Sequence, residues 1–329
     1  MSVQRSDAVI KSGMATAIVA EASRLARIIQ QELATPALIK GDKSPVTVAD
    51  FAVQALVSYR LHRFLDDAIL VGEESADELR SEEGCETLRL VTHFIRTVVP
   101  EANPDDVCQW IDRGGAEPTD EFWTLDPIDG TKGFLRHEQY AIALALIKNG
   151  EVQIGALGCP ELSGDAGERG KVLTAIRGQG SWSVTLDGRA TPQPLKVSST
   201  TDPTQARLLR SVESGHTDVG GIDQLLAALG STAAPVPMDS QAKYAVLAAG
   251  SGEIVVRMLS PARPDYRERI WDQAAGSIIV EEAGGRVTDL DGKPLDFSHG
   301  RTLAANRGVL ATNCHLHDAA LQALRTIVA

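Results

Sequence analysis

TLDPIDGTKGFLR, residues 124–136, sets two carboxylates, Asp126 and Asp129, on either side of a proline. Pro127 locks its own φ and pushes Asp126 toward extended backbone. Gly130 can take the positive φ that a sharp change of direction needs. Both acid side chains and the Ile128 carbonyl can then converge on one point. Hard divalent cations want such oxygen ligands, usually a few carboxylates plus phosphate and water. The stretch predicts half of a two-ion clamp, with Asp126 bridging two ions and Asp129 holding one. A lone Asp-Gly is ordinarily only a turn, so the prediction depends on acids elsewhere in the chain.

Those acids are present. Asp50 falls near a predicted helix start, Glu73 and Glu74 end a short apolar strand, and Asp272 opens a predicted helix. Strand ends and helix starts are where sites gather in layered α/β proteins. Taken alone, Asp272 would only complement a helix dipole. Four such signals in one chain point to a cage of oxygen ligands.

Outward from the clamp, helical periodicity over 7–33 (Val9, Ile10, Met14, Ile18, Leu25, Ile28, Ile29, Leu33) predicts one long amphipathic helix. KGDKSP (40–45) reads as an exposed loop. Thr47 can cap a second helix to about Phe64, with Phe51, Leu56, Tyr59 and Phe64 on its buried side. A charged helical stretch runs to Val99, while 101–120 and 160–170 carry no clear pattern. YAIALALIK and EVQIGALG flank Asn149-Gly150, which predicts a hairpin with a type I′ turn. The sheet continues through 171–182, and the Pro/Ser/Thr-rich stretch 187–203 marks a crossing between units expected at 1–197 and 198–329. In the second unit, strands over 207–212, 253–259 and 308–313 alternate with helices over 222–229, 240–250 and 270–284, ahead of a final helix.

Bulk properties narrow the function classes. The 329 residues carry a formal charge of −12, a poor surface for nucleic acid or an anionic membrane. No apolar run approaches the roughly 18 residues of a membrane helix. Lys11 and Glu21 interrupt the first apolar stretch, so no signal-peptide core is expected, and the predicted location is cytoplasmic. The cysteines (Cys85, Cys108, Cys159, Cys314) form no CxxC pair and read as reduced thiols. The CHLH tail (314–317) has the wrong spacing for a zinc finger and opens an ordinary amphipathic end.

SPVTVADF (44–51), VGEES (71–75), LDPIDGTKGF (125–134), SVESGH (211–216), MDSQAKY (238–244), VVRML (255–259) and IWDQAAG (270–276) follow one another along the chain. In that order they resemble the inositol monophosphatase superfamily of metal-dependent, lithium-sensitive phosphatases. DPIDGT combined with WDxAAG is the specific pair. Inositol monophosphatases typically continue with Thr-Asn-Phe, whereas Lys132-Gly133-Phe134-Leu135 is similar to the superfamily's bisphosphate nucleotidases.

The resemblance implies a layered sandwich of α+β and α/β units with alternating α-β-α-β-α layers. It implies two or three Mg²⁺ ions on Glu73, Asp126, the Ile128 carbonyl, Asp129 and Asp272, with Asp50 and Thr131 orienting the attacking water. It implies nucleotide contacts from Thr131, His216, Ser240, Lys243, Arg257 and Asp272, with Lys243 and Arg257 facing a second phosphate. The implied partner is a small molecule, 3′-phosphoadenosine 5′-phosphate, hydrolysed at its 3′-phosphate, with the sulfated form as a second substrate. An inositol mono- or polyphosphate phosphatase with the same cage stays open. Inhibition by Li⁺, and by Na⁺ in some members, belongs to the same resemblance, and a monomer is compatible with it. On residue type alone, Lys243 reads as a solvated helix charge and His216 as a loop histidine, while Arg257 is an odd residue inside an apolar strand unless it sits at an edge or faces outward.

Overall fold

The computed structural model describes residues 2–33, 45–163, 167–212, 219–259 and 265–328. His216, positions 40–44 of the predicted first loop and 164–166 of the patternless stretch lie outside the described residues. The chain opens with helices α1 (Ser2–Leu33) and α2 (Pro45–Phe64). The first sheet contains β1 (Leu70–Gly72), β2 (Glu121–Asp129), β3 (Ala141–Lys148), β4 (Glu151–Ser163), β5 (Arg169–Ile176), β6 (Gly180–Thr185) and β7 (Gln193–Pro194), ordered in space as in sequence. Helices α3 (Cys85–Arg96) and α4 (Pro104–Asp112) precede β2, and the short α5 (Thr131–Leu135) follows it.

The second half runs β8 (Leu208–Arg210), α6 (Val219–Leu229), β9 (Val236–Pro237), α7 (Ala242–Ala248), β10 (Ile254–Arg257), α8 (Ala274–Glu282), β11 (Arg286–Thr288), β12 (Val309–Thr312) and α9 (His317–Val328). Its sheet order is β11-β12-β10-β8-β9, with β10 parallel to β8 and antiparallel to β12.

Successive side chains on a strand point to opposite faces, and this sorts the layers. On β3, Ile142, Leu144 and Leu146 pack with Ile18, Leu25 and Leu56 of α1 and α2. Ala143, Ala145 and Ile147 join a second core with Tyr244 of α7 and Ile278 of α8. Leu209, Val255 and Ala311 of the second sheet enter that same core, so it draws on residues from both sides of position 197. Their neighbours Leu208, Ile254 and Leu310 face the other way, onto Leu225 of α6 and Leu321 and Leu324 of α9. The result is α-β-α-β-α, the expected layering. Each fully buried Leu or Ile contributes about 1.5–3 kcal/mol, so the shared middle core binds the two halves of the chain. Helix α8 lies very close to β4: a Cβ on Gly155 would meet the Ala275 carbonyl at 2.9 Å.

The hairpin forms as predicted, with φ of 50° at Asn149 and 76° at Gly150. Other details depart from expectation. Val9, Ile10 and Ile28 are exposed while Met14, Ile18, Leu25, Ile29 and Leu33 are buried, because one helix turns only one stripe to the sheet. Phe64 ends α2 beyond the core that holds Leu61 and is exposed. The patternless 101–120 contains α4, started by a reciprocal cap: Asn103 Oδ1 accepts from Asp106 N at 3.0 Å, and Asp106 Oδ2 accepts from Asn103 N at 3.3 Å. Pro104 suits the first turn because its missing N–H would be unpaired there anyway.

His317, at the start of α9, is buried between strands β11 and β12. Its ring nitrogens share 3.0 Å hydrogen bonds with Thr288 Oγ1 and Thr312 Oγ1. Burial, with Arg286 adding to it and Asp318 opposing, pushes the imidazole down to about 4 from 6.5. The unfolded chain therefore binds one more proton between those values, and stability falls as pH drops through that window. Urea unfolding of the wild type and of His317→Gln from pH 7.5 to 4.5 should show this loss as the difference between the two proteins, beginning near pH 6.5, because the buried acids with raised pKa values add the opposite slope to both. The two slopes should differ by up to roughly 1.4 kcal/mol per pH unit. Parallel slopes for the two proteins would refute the assignment.

Candidate active site

The stretch that opens the sequence reading is the end of a strand and not a free turn. β2 runs to Asp129, pairing Asp126 with Ala143 and Asp129 with Ala141. Three steps on β2 against two on β3 make a bulge, which accommodates Pro127 because proline cannot donate to the ladder. Regular alternation would send Asp126 and Asp129 to opposite faces. With the bulge, Asp126, Ile128 and Asp129 all line one cavity. Gly130 then turns with φ of 89° and starts α5, which presents the exposed Thr131 and Lys132 on the same wall.

Glu73 reaches this place through strand register. β1 runs parallel to β2 with Gly72 opposite Leu125, so the next residue, Glu73, comes level with Asp126. Gln54, fully buried on α2, fixes the backbone there. Its Nε2 donates to the Glu74 carbonyl at 2.6 Å and its Oε1 accepts from Glu74 N at 3.0 Å. Asp272 arrives from the second half, two residues ahead of α8 and not in its first turn. Arg301 ties these pieces together: its guanidinium donates to the Gly72 carbonyl and lies 5.1 Å from the ring centre of Trp271, the residue before Asp272.

The cavity measures about 480 Å³, a size suited to a small-molecule ligand. Of the residues expected from sequence, Glu73, Asp126, Ile128, Asp129, Thr131, Ser240, Lys243, Arg257 and Asp272 line it. Asp50 is not among the lining residues, but Glu74 and Glu73 act on its charge, and its own charge reaches Asp126.

Burial holds the acids above the ordinary carboxylate range. Asp126 is raised by burial, then by Asp129, Glu73, Asp272 and Asp50. Asp272 is raised by burial, then by Asp129 and Glu268. Glu74 is pushed up to about 7 by burial and by Glu73. Burial raises Asp129 too, opposed by Lys243, by the Gln241 backbone N–H and by Arg257.

This donor set fits a hard divalent cation. The ligands are oxygens, and Asp126 Oδ1 is buried with no hydrogen-bond partner among the described residues. An orphaned buried carboxylate oxygen is costly unless a cation or donor meets it. Among the described residues no three His, Cys, Asp or Glu side chains are already drawn into a compact metal-binding cluster. What the acids share is a cavity and an unbalanced charge.

The same cavity holds two cations, one buried and one half-buried. Lys243 is not the solvated charge its residue type suggests. It is 5% exposed, and its Nζ donates to Ser211 Oγ at 3.2 Å and the Met238 carbonyl at 3.3 Å. Burial, and then Arg257, lower it to about 8. Arg257 turns inward from β10. Burial would lower its pKa, but the Glu268 and Asp272 carboxylates outweigh that and hold the guanidinium charged. Ser240 takes φ of 67°, unusual for a side-chain-bearing residue, and its Oγ accepts from Ala242 N at 3.1 Å.

Gln241, which residue-type reasoning passed over, joins the two halves of the site. Its backbone N–H donates to Asp129 Oδ2, its Nε2 donates to the Trp271 carbonyl at 3.0 Å, and its Oε1 accepts from Gly276 N at 3.2 Å. It lies inside the quoted MDSQAKY stretch, so proximity to Ser240 was its only signal.

Opposed charges around one small cavity, at strand ends in an α-β-α-β-α sandwich, define the class of site. The sequence model described as the inositol monophosphatase family matches residues 11–329, and the chain belongs to that family. It is 38% identical to a 3′(2′),5′-bisphosphate nucleotidase of Schizosaccharomyces pombe, covering 92% of this chain and 89% of that protein. It is 40% identical to a 3′(2′),5′-bisphosphate nucleotidase of Oryza sativa, covering 93% and 91%. The fold matches an inositol monophosphatase from Anabaena (Nostoc) with a TM-score of 0.65 at 20% identity, over 98% of this chain and 97% of that one. No helix among the described residues is long and apolar enough to cross a membrane.

Gln241→Ala would leave the Trp271 carbonyl and Gly276 N–H buried without partners. The expected loss of stability is about 1–3 kcal/mol, read from urea denaturation. A change below roughly 0.5 kcal/mol would contradict the joining role.

Proposed function

We propose that this chain removes the 3′-phosphate of 3′-phosphoadenosine 5′-phosphate, releasing AMP and phosphate. The sulfated form, 3′-phosphoadenosine 5′-phosphosulfate, is the second substrate. One observation carries the proposal: the buried Lys243 and the half-buried Arg257 line the same cavity as Glu73, Asp126, Asp129 and Asp272. The acids suit hydrolysis of one phosphate, and the two cations suit recognition of another. The names of the relatives point to the same substrate class.

Glu73, Asp126, the Ile128 carbonyl, Asp129 and Asp272 would hold two or three Mg²⁺ ions. When bound, such ions lower the pKa of water and offset charge on the attacking and departing oxygens. Phosphoryl transfer needs mainly positioning and charge neutralisation, so little else is asked of the protein. Asp50 and Thr131 hydrogen-bond the attacking water and aim it at phosphorus, with Asp50 taking its proton directly or through Thr131. Thr131 and Asp272 border the scissile group. Ser240 and His216 hold the nucleoside, the latter on sequence grounds alone. Lys243 and Arg257 bind the 5′ group and stay clear of the reacting phosphorus. Li⁺ and Na⁺ would inhibit by competing for the acids.

Phosphate release should be measured with the two nucleotides and inositol 1-phosphate, with and without Mg²⁺, and again with Li⁺. The bisphosphorylated nucleotide should be fastest, with Mg²⁺ required and Li⁺ inhibiting. Asp126→Asn should reduce turnover to background. Lys243→Met should raise KM about 10- to 100-fold, the worth of one charge-assisted hydrogen bond, with a smaller change in kcat. A clear preference for inositol 1-phosphate, or near-normal turnover by Asp126→Asn, would overturn the proposal.

A further inference from the structure

Glu268 is 4% exposed and does not line the cavity, yet Arg257 and Gln273, the two side chains its carboxylate meets among the described residues, do. Its Oε2 stands 3.4 Å from a terminal nitrogen of Arg257 and accepts from Gln273 Nε2 at 2.7 Å. Gln273 Oε1 in turn accepts the hydroxyl proton of Tyr244. A chain of contacts therefore runs from the buried Tyr244, Gln273 and Glu268 to the half-buried Arg257, with its carboxylate behind the wall and its other members on it. A buried carboxylate is costly unless charge and hydrogen bonds satisfy it, and this one has both.

We infer that Glu268 is a positioning residue that sets the preference for a second phosphate by holding Arg257 in place before substrate arrives. The inference rests on the nucleotidase function proposed above. A free arginine side chain gives up rotamer freedom when it binds, and one that is already anchored loses less. Glu268 occupies part of the guanidinium's planar fork, leaving other donors for a phosphate. Arg257 Nε is buried and without a partner among the described residues, as a donor kept for a ligand would be. Lys243 lies near enough for Arg257 to lower its pKa, so two cations share this end of the cavity and Glu268 offsets one of them. Simple repulsion between Glu268 and phosphate predicts the opposite sign of effect, so the direction of change decides between the two accounts.

The test compares adenosine 3′,5′-bisphosphate with adenosine 3′-monophosphate, using the full chain with Mg²⁺. Glu268→Gln should raise KM for the bisphosphate about 10- to 100-fold, the range typical of lost outer-shell support. Its kcat should stay within about threefold, and kcat/KM for the monophosphate should change by less than about threefold. Glu268→Asp, which keeps the charge, should recover part of the preference and serves as the readout if the Gln variant does not fold. In an Arg257→Met background, Glu268→Gln should cause no further loss of preference, because its effect passes through Arg257. An unchanged or strengthened preference for the bisphosphate, or an equal extra loss in the Arg257→Met background, overturns the inference. A wild-type enzyme with no preference for the bisphosphate would instead overturn the function proposed for the site, and this inference with it.

Discussion

Like charges held together away from water are the constraint around which this molecule is arranged. Glu73, Asp126, Asp129 and Asp272 line one cavity, burial raises the pKa of each, the charges of the other three add to this at Asp126, and among the described residues one Asp126 oxygen has no donor. Such a group does not assemble unaided, since desolvation and repulsion both oppose it. Rigid elements hold it. The bulge at Pro127 re-aims Asp129, the parallel register of β1 brings Glu73 level with Asp126, and Gln241 bonds Asp129 to the turn that carries Asp272.

The layering explains how cations join these acids. The first sheet supplies Glu73 and the Asp126–Asp129 pair. The second half supplies Asp272 together with Lys243 on α7 and Arg257 on β10. Because α7 and α8 lie between the two sheets and share one core with both, the site sits where the halves meet. Close packing there, as at Gly155 against Ala275, limits relative movement of the walls.

What was legible in the sequence was local chemistry. Asp126 and Asp129 stand three positions apart beside a proline, and the Asn149-Gly150 turn carries its own signal, so both could be read directly. The cap at Asn103 and Asp106 was equally local, yet a short helix in a polar stretch offers little periodicity to notice. Lys243 and Arg257 could be placed at the site through resemblance, but the burial of Lys243 and the inward turn of Arg257 could not, because both depend on how α7 and β10 stack beneath the first sheet. Gln54, Gln241 and Glu268 were missed for the same reason. Their meaning lies in partners such as Glu74, Gly276 and Arg257, and an amide or carboxylate announces no partner in advance. The exposed Val9, Ile10 and Phe64 show the converse: apolar spacing marks a helix more surely than it marks which residues the core will reach.

In the proposed function the carboxylates grip divalent ions beside a ligand whose other phosphate meets Lys243 and Arg257. Crystals grown with Mn²⁺, AMP and inorganic phosphate test this most directly through anomalous scattering. Anomalous peaks are expected among Glu73, Asp126, Asp129 and Asp272, with the AMP phosphate against Lys243 and Arg257. Manganese bound elsewhere, or AMP seated away from those two cations, would contradict it.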